Sequence, residues 1–269
     1  MRFQILGSSS SGNCALLTTA GCKVLIDAGF SARKIKLMLE SVGESLDSID
    51  AVFLTHEHGD HTAGIRGLAR RAHITVFANR DTAFAVQQRF KESKPQWKLF
   101  ETGSAFTYRD LQITPFSVPH DAHDPVGFVF ESGDDSLFSP RRSLAWLTDL
   151  GHLPKLAREK VRNVDLLVLE ANYDSELLEN DEKRPWSVKQ RIRGRHGHLS
   201  NSAALELLSE EESPRWRQVF LAHLSKDCNS LDIVRQTFEP LRQRGKKFNI
   251  DVVDPHNGTC PAVDLFALA

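Results

Sequence analysis

Seven consecutive residues constrain this chain more than any other segment. Residues 55–61 read Thr-His-Glu-His-Gly-Asp-His, so three histidines and an aspartate fall within six positions. Imidazole nitrogens and carboxylate oxygens are the ligands that zinc takes when no thiolate is offered. The apolar run at residues 48–54 predicts a buried strand that ends where these ligands begin. The segment therefore predicts a metal site at the edge of an α/β layered fold, and a polar turn with solvated histidines is the weaker alternative.

Four further segments continue this pattern along the chain, each with one polar residue after or between apolar ones. They carry Asp27, His120, Asp149 and His223. Together with His-X-His-X-Asp-His at residues 56–61, which is second in order along the chain, these four segments make five motifs. The five motifs resemble those of the metallo-β-lactamase fold superfamily. The resemblance implies an α/β (α+β) four-layer αββα sandwich, with two facing sheets and helices outside, as a single domain over residues 1–269. Periodicity alone gives only mixed α and β structure with several buried strands.

Within that superfamily the chain resembles the YycJ (WalJ) branch. The stretches that carry this resemblance are residues 6–14, 120–128, 169–174, 197–201 and 222–226. The branch is nuclease-like and is more similar to RNase Z and RNase J than to the enzymes that cleave antibiotics. The chain has no room for the tRNA-gripping arm of RNase Z between the third and fourth motifs, or for the inserted domain of RNase J after the fourth. Specific tRNA maturation is therefore not expected.

The resemblance implies two divalent metal ions, most simply zinc, although nitrogen and oxygen ligands also accept manganese. The implied ligands are His56, His58 and His120 for one ion, Asp60, His61 and His223 for the other, and Asp149 as the bridge between them. Such a pair activates a water molecule and stabilises charge on a phosphoryl oxygen, which makes Asp60 catalytic as well as a ligand. His123 is the alternative to His120 as the third nitrogen ligand of the first ion. Asp27 is expected behind the ligands, where a carboxylate fixes a histidine tautomer, or else as an ordinary turn residue.

Two residues outside the metal motifs favour a nuclease. Glu170 ends an apolar run, and His198 lies in Gly-His-Leu-Ser-Asn. By resemblance to RNase Z-like enzymes, the glutamate holds the histidine, which protonates the leaving oxygen. An ester oxygen needs this proton because it is a poor leaving group without one. Taken alone, His198 would be a helix-start residue beside the candidate caps Ser200 and Asn201, which we also expect to contact substrate.

A basic stretch leads to the candidate acid. Arg191, Arg193 and Arg195 alternate with other residues just before it, and they predict a track for substrate phosphates. A solvated loop is the alternative. Trp186 can stack on a base, although tryptophan more often packs in a core.

Hydrophobic periodicity predicts the elements around these motifs. Further strands are predicted at residues 3–6, 22–27, 74–78, 111–116, 126–131, 143–147 and 165–169. Helices are predicted at residues 31–39, 63–69, 81–90 and 153–160. Ser31 is the candidate cap of the first helix. The Ser/Gly run at residues 8–12 has two interpretations, a hairpin loop or a backbone that approaches the metal cleft or a phosphate.

Composition limits the partners and the compartment. The chain has 34 Lys and Arg against 35 Asp and Glu, so nucleic-acid binding requires a local basic patch. The four cysteines have no Cys-X-X-Cys spacing and predict reduced thiols in a cytoplasmic protein. No signal peptide and no apolar run long enough for a bilayer are visible, so no membrane partner is expected.

The leading hypothesis is a metal-dependent phosphodiesterase that hydrolyses DNA or RNA, most naturally as an exonuclease. The alternative is a hydrolase of a thioester, lactone or β-lactam on the same two-metal site. Glu170 and His198 favour the nuclease. The basic stretch also favours it, because a small-molecule hydrolase would not need a basic approach. A binding domain on a dead metal site is disfavoured because every ligand position is filled.

Overall fold

The computed structural model describes residues 1–134, 136, 140–210, 214–243, 247–256 and 259–268. Within these residues the strands form two seven-stranded sheets. The first sheet begins with β1 (Arg2–Ser9), β2 (Gly12–Thr18), β3 (Lys23–Ile26), β4 (Ala51–Phe53), β5 (Thr75–Ala78) and β6 (Gln96–Leu99). The second contains β7 (Phe106–Tyr108), β8 (Leu111–Ser117), β9 (Val126–Ser132), β10 (Arg142–Leu147), β11 (Leu166–Glu170), β12 (Gln218–Ala222) and β13 (Asn249–Val252). The last strand, β14 (Val263–Asp264), returns to the first sheet.

The two sheets are built on the same plan. The first has the order β14-β1-β2-β3-β4-β5-β6, and the second has the order β13-β12-β11-β10-β9-β8-β7. In each sheet four neighbouring strands are parallel and the others are antiparallel. The parallel strands β3 to β6 and β10 to β13 have their carboxyl ends at one edge of each sheet. Ligands of open α/β sheets usually bind at such an edge.

Helices cover the outer face of each sheet. They are α1 (Ala32–Ser41), α2 (Gly59–Thr62), α3 (Ile65–Leu68), α4 (Arg80–Arg89), α5 (Lys155–Arg162), α6 (Ser175–Asn180), α7 (Trp186–Arg193), α8 (Asn201–Glu210) and α9 (Leu231–Gln243), with a 3-10 turn at Leu46–Ser48. Side chains of α1, α3 and α4 pack on the first sheet. Side chains of α5, α8 and α9 pack on the second. The α1 helix begins after Ser31, whose hydroxyl accepts from the amide of Lys34, as a capping residue does.

The main core lies between the sheets and is rich in aromatic residues. Phe53 and Phe128 meet edge to face with their ring centroids 6.2 Å apart, one from each sheet. Phe3 and Trp146 make a similar contact across the same interface. Separate apolar clusters join each sheet to its own helices. The predicted four-layer αββα sandwich is therefore confirmed.

Most predicted elements lie within three residues of the observed ones, with two informative differences. The predicted helix at 63–69 is shortened to α3, because the amide of Gly64 donates to the carbonyl of Ala28 and not to a carbonyl of the preceding helical turn. That turn, α2, lies within the motif at residues 55–61 and its next residue and was not predicted. The strand β2 was not predicted. It is buried almost throughout, so the alternation that marks a half-buried strand is missing from its sequence.

Three residues at the common edge have an unusual backbone conformation. Asp27 and His223 directly follow β3 and β12, and Asp149 lies two residues after β10; their φ angles are 60°, 57° and 58°. The left-handed region costs a residue with a side chain about 1–3 kcal/mol, and such strain tends to persist where function requires it. All three belong to the motifs picked out in the sequence.

The described part of the chain contains no helix that is both long enough and apolar enough to cross a membrane.

Candidate metal centre and active site

Two groups of predicted ligand side chains have the spacing of metal ligands, at the edge where the parallel strands of both sheets end. In each group, the candidate ligand atoms lie within 4.8 Å of one another. The first group is His56, His58 and His120, and the second is Asp60, His61, Asp149 and His223. All seven ligands implied by the sequence motifs are therefore brought together, from loops up to 167 residues apart in sequence between His56 and His223.

Three orphaned atoms in these groups fit a bound cation. Nε2 of His56, Nε2 of His223 and Oδ2 of Asp149 are buried and have no hydrogen-bond partner among the described residues. Oδ2 of Asp149 lies 3.1 Å from Nε2 of His61, without the geometry of a hydrogen bond. A buried polar atom left unpaired costs about 1–3 kcal/mol, so three together need an explanation. Divalent metal ions coordinated by these atoms supply it, and the donor set of nitrogens and carboxylates is suitable for them.

Asp27 lies directly behind the second group. Its Oδ2 is 2.8 Å from Nδ1 of His61, and Thr55 donates its amide to Oδ1 at 2.9 Å. Burial raises the pKa of Asp27, although His61 opposes the rise. Burial alone would lower the pKa of His61, but Asp149 and Asp27 raise it well above its usual value. With Nδ1 held by a carboxylate, Nε2 of His61 is the nitrogen left to bind a cation.

The loop that carries the motif packs tightly against the β3 turn. A Cβ atom on Gly29 would lie 1.6 Å from the carbonyl oxygen of Asp60. Only glycine therefore allows the two backbones to approach this closely. The contact fixes Asp60 and His61 against the first sheet, at the start of α2.

His120, not His123, belongs to the first group. Nδ1 of His120 lies 2.9 Å from the carbonyl oxygen of Gly197, so this nitrogen carries the proton. Its Nε2 lies 3.3 Å from Nδ1 of His58. His123 instead pairs with Glu57 at 2.5 Å, and its side chain is 66% exposed. The carbonyl of Gly197 can reach His120 because residue 197 is glycine, since a Cβ there would lie 2.1 Å from the carbonyl oxygen of Ile192.

Glu170 connects the metal centre to His198. Its Oε1 lies 2.8 Å from Nδ1 of His198 and 2.9 Å from Nδ1 of His223. Its Oε2 accepts the amides of Leu150 at 3.0 Å and Leu199 at 3.1 Å. Burial would raise the pKa of Glu170, but the two adjacent imidazoles lower it. Glu170 is therefore an ionised, fully buried carboxylate that orients both rings.

His198 lines an open cavity above both ligand groups. The cavity has a volume of about 210 Å³ and is also lined by Ser10, Asp121, Val188, Arg191 and Ile192, together with His58, Asp60, His120, Asp149, Gly197 and His223. Burial opposes a charge on the ring, but Glu170 raises the pKa of His198 above its usual value. Since Glu170 holds Nδ1, Nε2 is the nitrogen of His198 that is free to serve a bound molecule.

The basic stretch is a helix for most of its length, and its arginines point to different places. Arg191 lines the cavity and forms an ion pair with Asp121. Arg193 lies near Glu179 at 3.7 Å and is not among the cavity-lining residues, and neither is Arg195, which is exposed beyond the end of α7. The alternative of a solvated loop is therefore wrong for α7, and the geometry places only one of the three arginines at the cavity.

Two other candidate contact residues have structural partners. Ser200 accepts the amide of Ala203 at 3.2 Å and so caps α8. Asn201 is 2% exposed and exchanges amide hydrogen bonds with Asn229, so its side chain faces the interior and not a substrate. The expectation that Asn201 contacts substrate is corrected accordingly. Trp186 is 58% exposed at the start of α7 and does not pack in the core.

The Ser/Gly run supports the metal centre. Its residues end β1 and begin β2, so only a tight turn is left between the strands. The hydroxyl of Ser8 accepts the amide of His223 at 3.0 Å and donates to Asn13 at 2.8 Å. Ser10 lines the cavity. Both interpretations match the structure, because the run forms the turn of the β1–β2 hairpin and that turn reaches the cavity.

Sequence reasoning gave no role to three polar residues that contact the ligand histidines. The hydroxyl of Thr55 lies 3.0 Å from Nδ1 of His56, and the side-chain amide nitrogen of Asn13 lies 3.2 Å from Nε2 of His61. The side-chain amide of Asn172 donates to the backbone carbonyl of His223 at 2.8 Å. Each lies in a stretch already quoted, but a small polar residue beside a strand end carries no signal of its own.

Comparison with known proteins agrees with this geometry. Residues 23–223 match the model described as the beta-lactamase superfamily domain. This protein belongs to the metallo-β-lactamase superfamily. The matched range begins in β3 and ends at His223, so it contains all seven candidate ligands. With this fold and these ligand groups, the protein is a metal-dependent hydrolase.

Relatives and solved structures place the chain more closely. The exodeoxyribonuclease WalJ of Streptococcus pneumoniae is 35% identical over 239 residues, which are 88% of this chain and 86% of the relative. The exodeoxyribonuclease YycJ of Bacillus anthracis is 29% identical over 261 residues, 95% and 96% of the two chains. Among structures, the metallo-β-lactamase fold protein YhfI of Bacillus subtilis has a TM-score of 0.71 at 15% identity, covering 98% of this chain and 99% of YhfI. Human tRNase Z, short form, has a TM-score of 0.66 at 14% identity, covering 98% and 99%. At these identities the two structures support the fold alone.

Proposed function

We propose that this protein is a metal-dependent exonuclease that hydrolyses the phosphodiester bonds of DNA. The observation that carries the proposal is the Glu170–His198 pair, whose histidine shares one cavity with both ligand groups. Phosphodiester cleavage needs a proton donor for the departing oxygen, and the pair places an imidazole where it can supply one. A thioester hydrolase has no such need, because a thiolate departs without a proton.

Two divalent ions, zinc or alternatively manganese, would be held by the seven ligand side chains, with Asp149 between them. His56, His58 and His120 supply three nitrogens to one ion, and Asp60, His61 and His223 supply one oxygen and two nitrogens to the other. When bound, such ions lower the pKa of water and offset negative charge on a phosphoryl group. Asp27 and Glu170 fix the orientation of His61 and His223 from behind.

Arg191 would bind a substrate phosphate, and Glu170 and His198 would supply the proton to the departing oxygen. Arg191 lies at the cavity wall, where its guanidinium can leave Asp121 for a phosphate oxygen. Glu170 keeps Nδ1 of His198 engaged, so the proton on Nε2 is directed at the departing oxygen of the substrate. Glu170 also stabilises the charged imidazole before that transfer. After the transfer the ring returns to its acidic form by taking a proton from water.

The choice of DNA and of cleavage from an end rests on the relatives. The WalJ and YycJ proteins are named exodeoxyribonucleases, and this chain spans 86% and 96% of their lengths. We expect residues 1–269 to act as one catalytic domain. We also expect the protein to act in the cytoplasm, where its four cysteines stay reduced.

The proposed function is tested with three nucleic-acid substrates. Protein loaded with zinc or manganese should release mononucleotides from linear single-stranded DNA and leave a closed circle of the same sequence intact. Linear RNA of the same sequence serves as the comparison. Cutting of the circle would show an endonuclease, and faster loss of the RNA would overturn the choice of DNA. Hydrolysis of a thioester, lactone or β-lactam without any nuclease activity would overturn the proposal.

A second test compares two arginines of α7. Arg191→Ala should weaken binding of single-stranded DNA, and the slope of log affinity against log salt should fall by about 0.7, the value for one phosphate contact. Arg193→Ala removes the same charge outside the cavity and should leave binding unchanged. Arg193→Ala should also cleave bis-p-nitrophenyl phosphate at the normal rate. Equal losses from both variants would show only a general charge effect.

A further inference from the structure

A second cavity lies beside residues 55–61, which we call the metal-binding loop. Most of its charged lining residues are cations, and we call it the basic cavity. It has a volume of about 300 Å³ and is lined by Arg66, Gln88, Arg89, Phe90, Lys91, Glu92 and Ser93. Three of these residues are cations and one is a carboxylate. All three cations are exposed at the surface, and the Phe90 ring is half-buried between them and the protein. None of these lining residues was predicted from the sequence to have a functional role.

Arg89 joins this basic cavity to the metal-binding loop. Its Nη1 donates to the hydroxyl of Thr62 at 3.1 Å, and that hydroxyl lies 2.8 Å from the carbonyl oxygen of His58. A Cβ atom on Gly59 would lie 4.0 Å from the same Nη1. Gly59 is exposed between His58 and Asp60. Both of these neighbours line the cavity above the two ligand groups, which we call the catalytic cavity. The guanidinium of Arg89 therefore lies at the rim of the catalytic cavity, on the wall formed by the metal-binding loop.

The charges of the basic cavity are not neutralised within the protein. In the described part of the chain, no carboxylate lies within 4.0 Å of the charged groups of Arg66, Arg89 or Lys91. Arg191, on the α7 wall of the catalytic cavity, is paired with Asp121. Clustered cations without partners repel one another, and a row of phosphates would remove that repulsion.

We propose that Arg66, Arg89 and Lys91 bind backbone phosphates of the substrate strand beyond the bond that is cut. This inference rests on the proposed nuclease function and extends it. The strand contacts Arg191 on the α7 wall, passes over the metal centre and continues past Gly59 into the basic cavity. The site therefore recognises a strand of several nucleotides, and short substrates lack this part of the binding.

The test separates phosphate binding from support of the loop. The double variant Arg66→Ala with Lys91→Ala leaves the Arg89–Thr62 hydrogen bond in place. Its control is Arg2→Ala with Lys160→Ala, which removes two exposed charges. Arg2 is the first residue of β1, and Lys160 lies in α5, the helix before β11. Neither residue lines the basic cavity or the cavity above the ligand groups. Binding of a fluorescent single-stranded DNA of about 20 nucleotides is measured against salt, with metal content and bis-p-nitrophenyl phosphate turnover measured in parallel.

The double variant should bind the long strand more weakly, and its salt slope should fall by about 0.7 for each phosphate that the protein no longer binds. Metal content, turnover of the small substrate and affinity for a dinucleotide should match those of the control. An unchanged salt slope overturns the inference, and so does a reduced metal content, because the cations would then serve only the loop. If the wild-type protein degrades no nucleic acid, the proposed function itself fails. If the wild type is active and the double variant is indistinguishable from it, only this inference fails.

Discussion

Replacing His198 by alanine should lower the turnover of DNA by a factor of about 10²–10⁴, the usual contribution of a positioned general acid. The expectation follows from the contact of Nδ1 with Glu170 at 2.8 Å and from the position of the ring in the wall of the catalytic cavity. Turnover of bis-p-nitrophenyl phosphate should change little, because p-nitrophenolate departs without a proton. The ratio of the two rates, compared between wild type and variant, isolates proton donation from binding and from metal content.

His196→Ala is the matched control for this experiment. The residue lies two positions away and is exposed, so its removal should leave both rates unchanged. Equal losses on both substrates in His198→Ala would make the ring a positioning residue. Loss of metal would instead make it a ligand, as its place in a third group with Asp149, Glu170 and His223 allows.

Replacing Asp149 by alanine should have the larger effect on the metal centre. Elemental analysis of wild-type protein should approach two divalent ions per chain, and the variant should retain less than one. Oδ1 of Asp149 lies 3.3 Å from Nε2 of His223, and Oδ2 lies 3.1 Å from Nε2 of His61. The same carboxylate is 3.7 Å from Nε2 of His120, in the first group. Since it reaches both groups, its loss removes a ligand from each ion and should abolish measurable turnover.

Asp121→Ala is the control for the loss of a carboxylate at this place. Asp121 lines the same cavity but belongs to neither ligand group, and its replacement should leave both ions bound. Full occupancy in Asp149→Ala would exclude a bridging role. Metal binding often contributes to folding, so a chelator should lower the melting temperature of the wild type more than that of Asp149→Ala.

The ligands could be found in the sequence because their chemistry is local. His56, His58, Asp60 and His61 lie within six residues, and the other ligands each follow a recognisable apolar run. A strand that ends in a histidine or an aspartate leaves a pattern in the sequence that does not depend on what packs against it. The division of these ligands between two ions came from the resemblance to the superfamily, and the pairing of Glu170 with His198 came from the resemblance to RNase Z-like enzymes.

The orientation of helical side chains was decided by tertiary structure. The alternation of Arg191, Arg193 and Arg195 predicts one track, but α7 turns about 100° per residue and separates the side chains of Arg191 and Arg193. Arg195 lies beyond the end of this helix. Asn201 looks available in the sequence as a polar residue near the acid, yet the packing of α8 buries it against Asn229. A sequence shows which residues are polar but not which face of a helix meets the protein.

The sequence by itself therefore determined the mixed α and β structure, the order of the motifs and the identity of the candidate metal-binding groups, because these depend on runs of neighbouring residues. The two facing sheets were expected only from the resemblance. Beyond Asp27 and Glu170, only the tertiary structure decided which residues support those groups. Ser8 meets His223 across 215 positions of the chain, and Arg89 meets Thr62 across 27. These contacts exist because the folded layers bring distant strand ends and loops to one edge, where burial makes each unpaired polar atom costly and selects a partner for it.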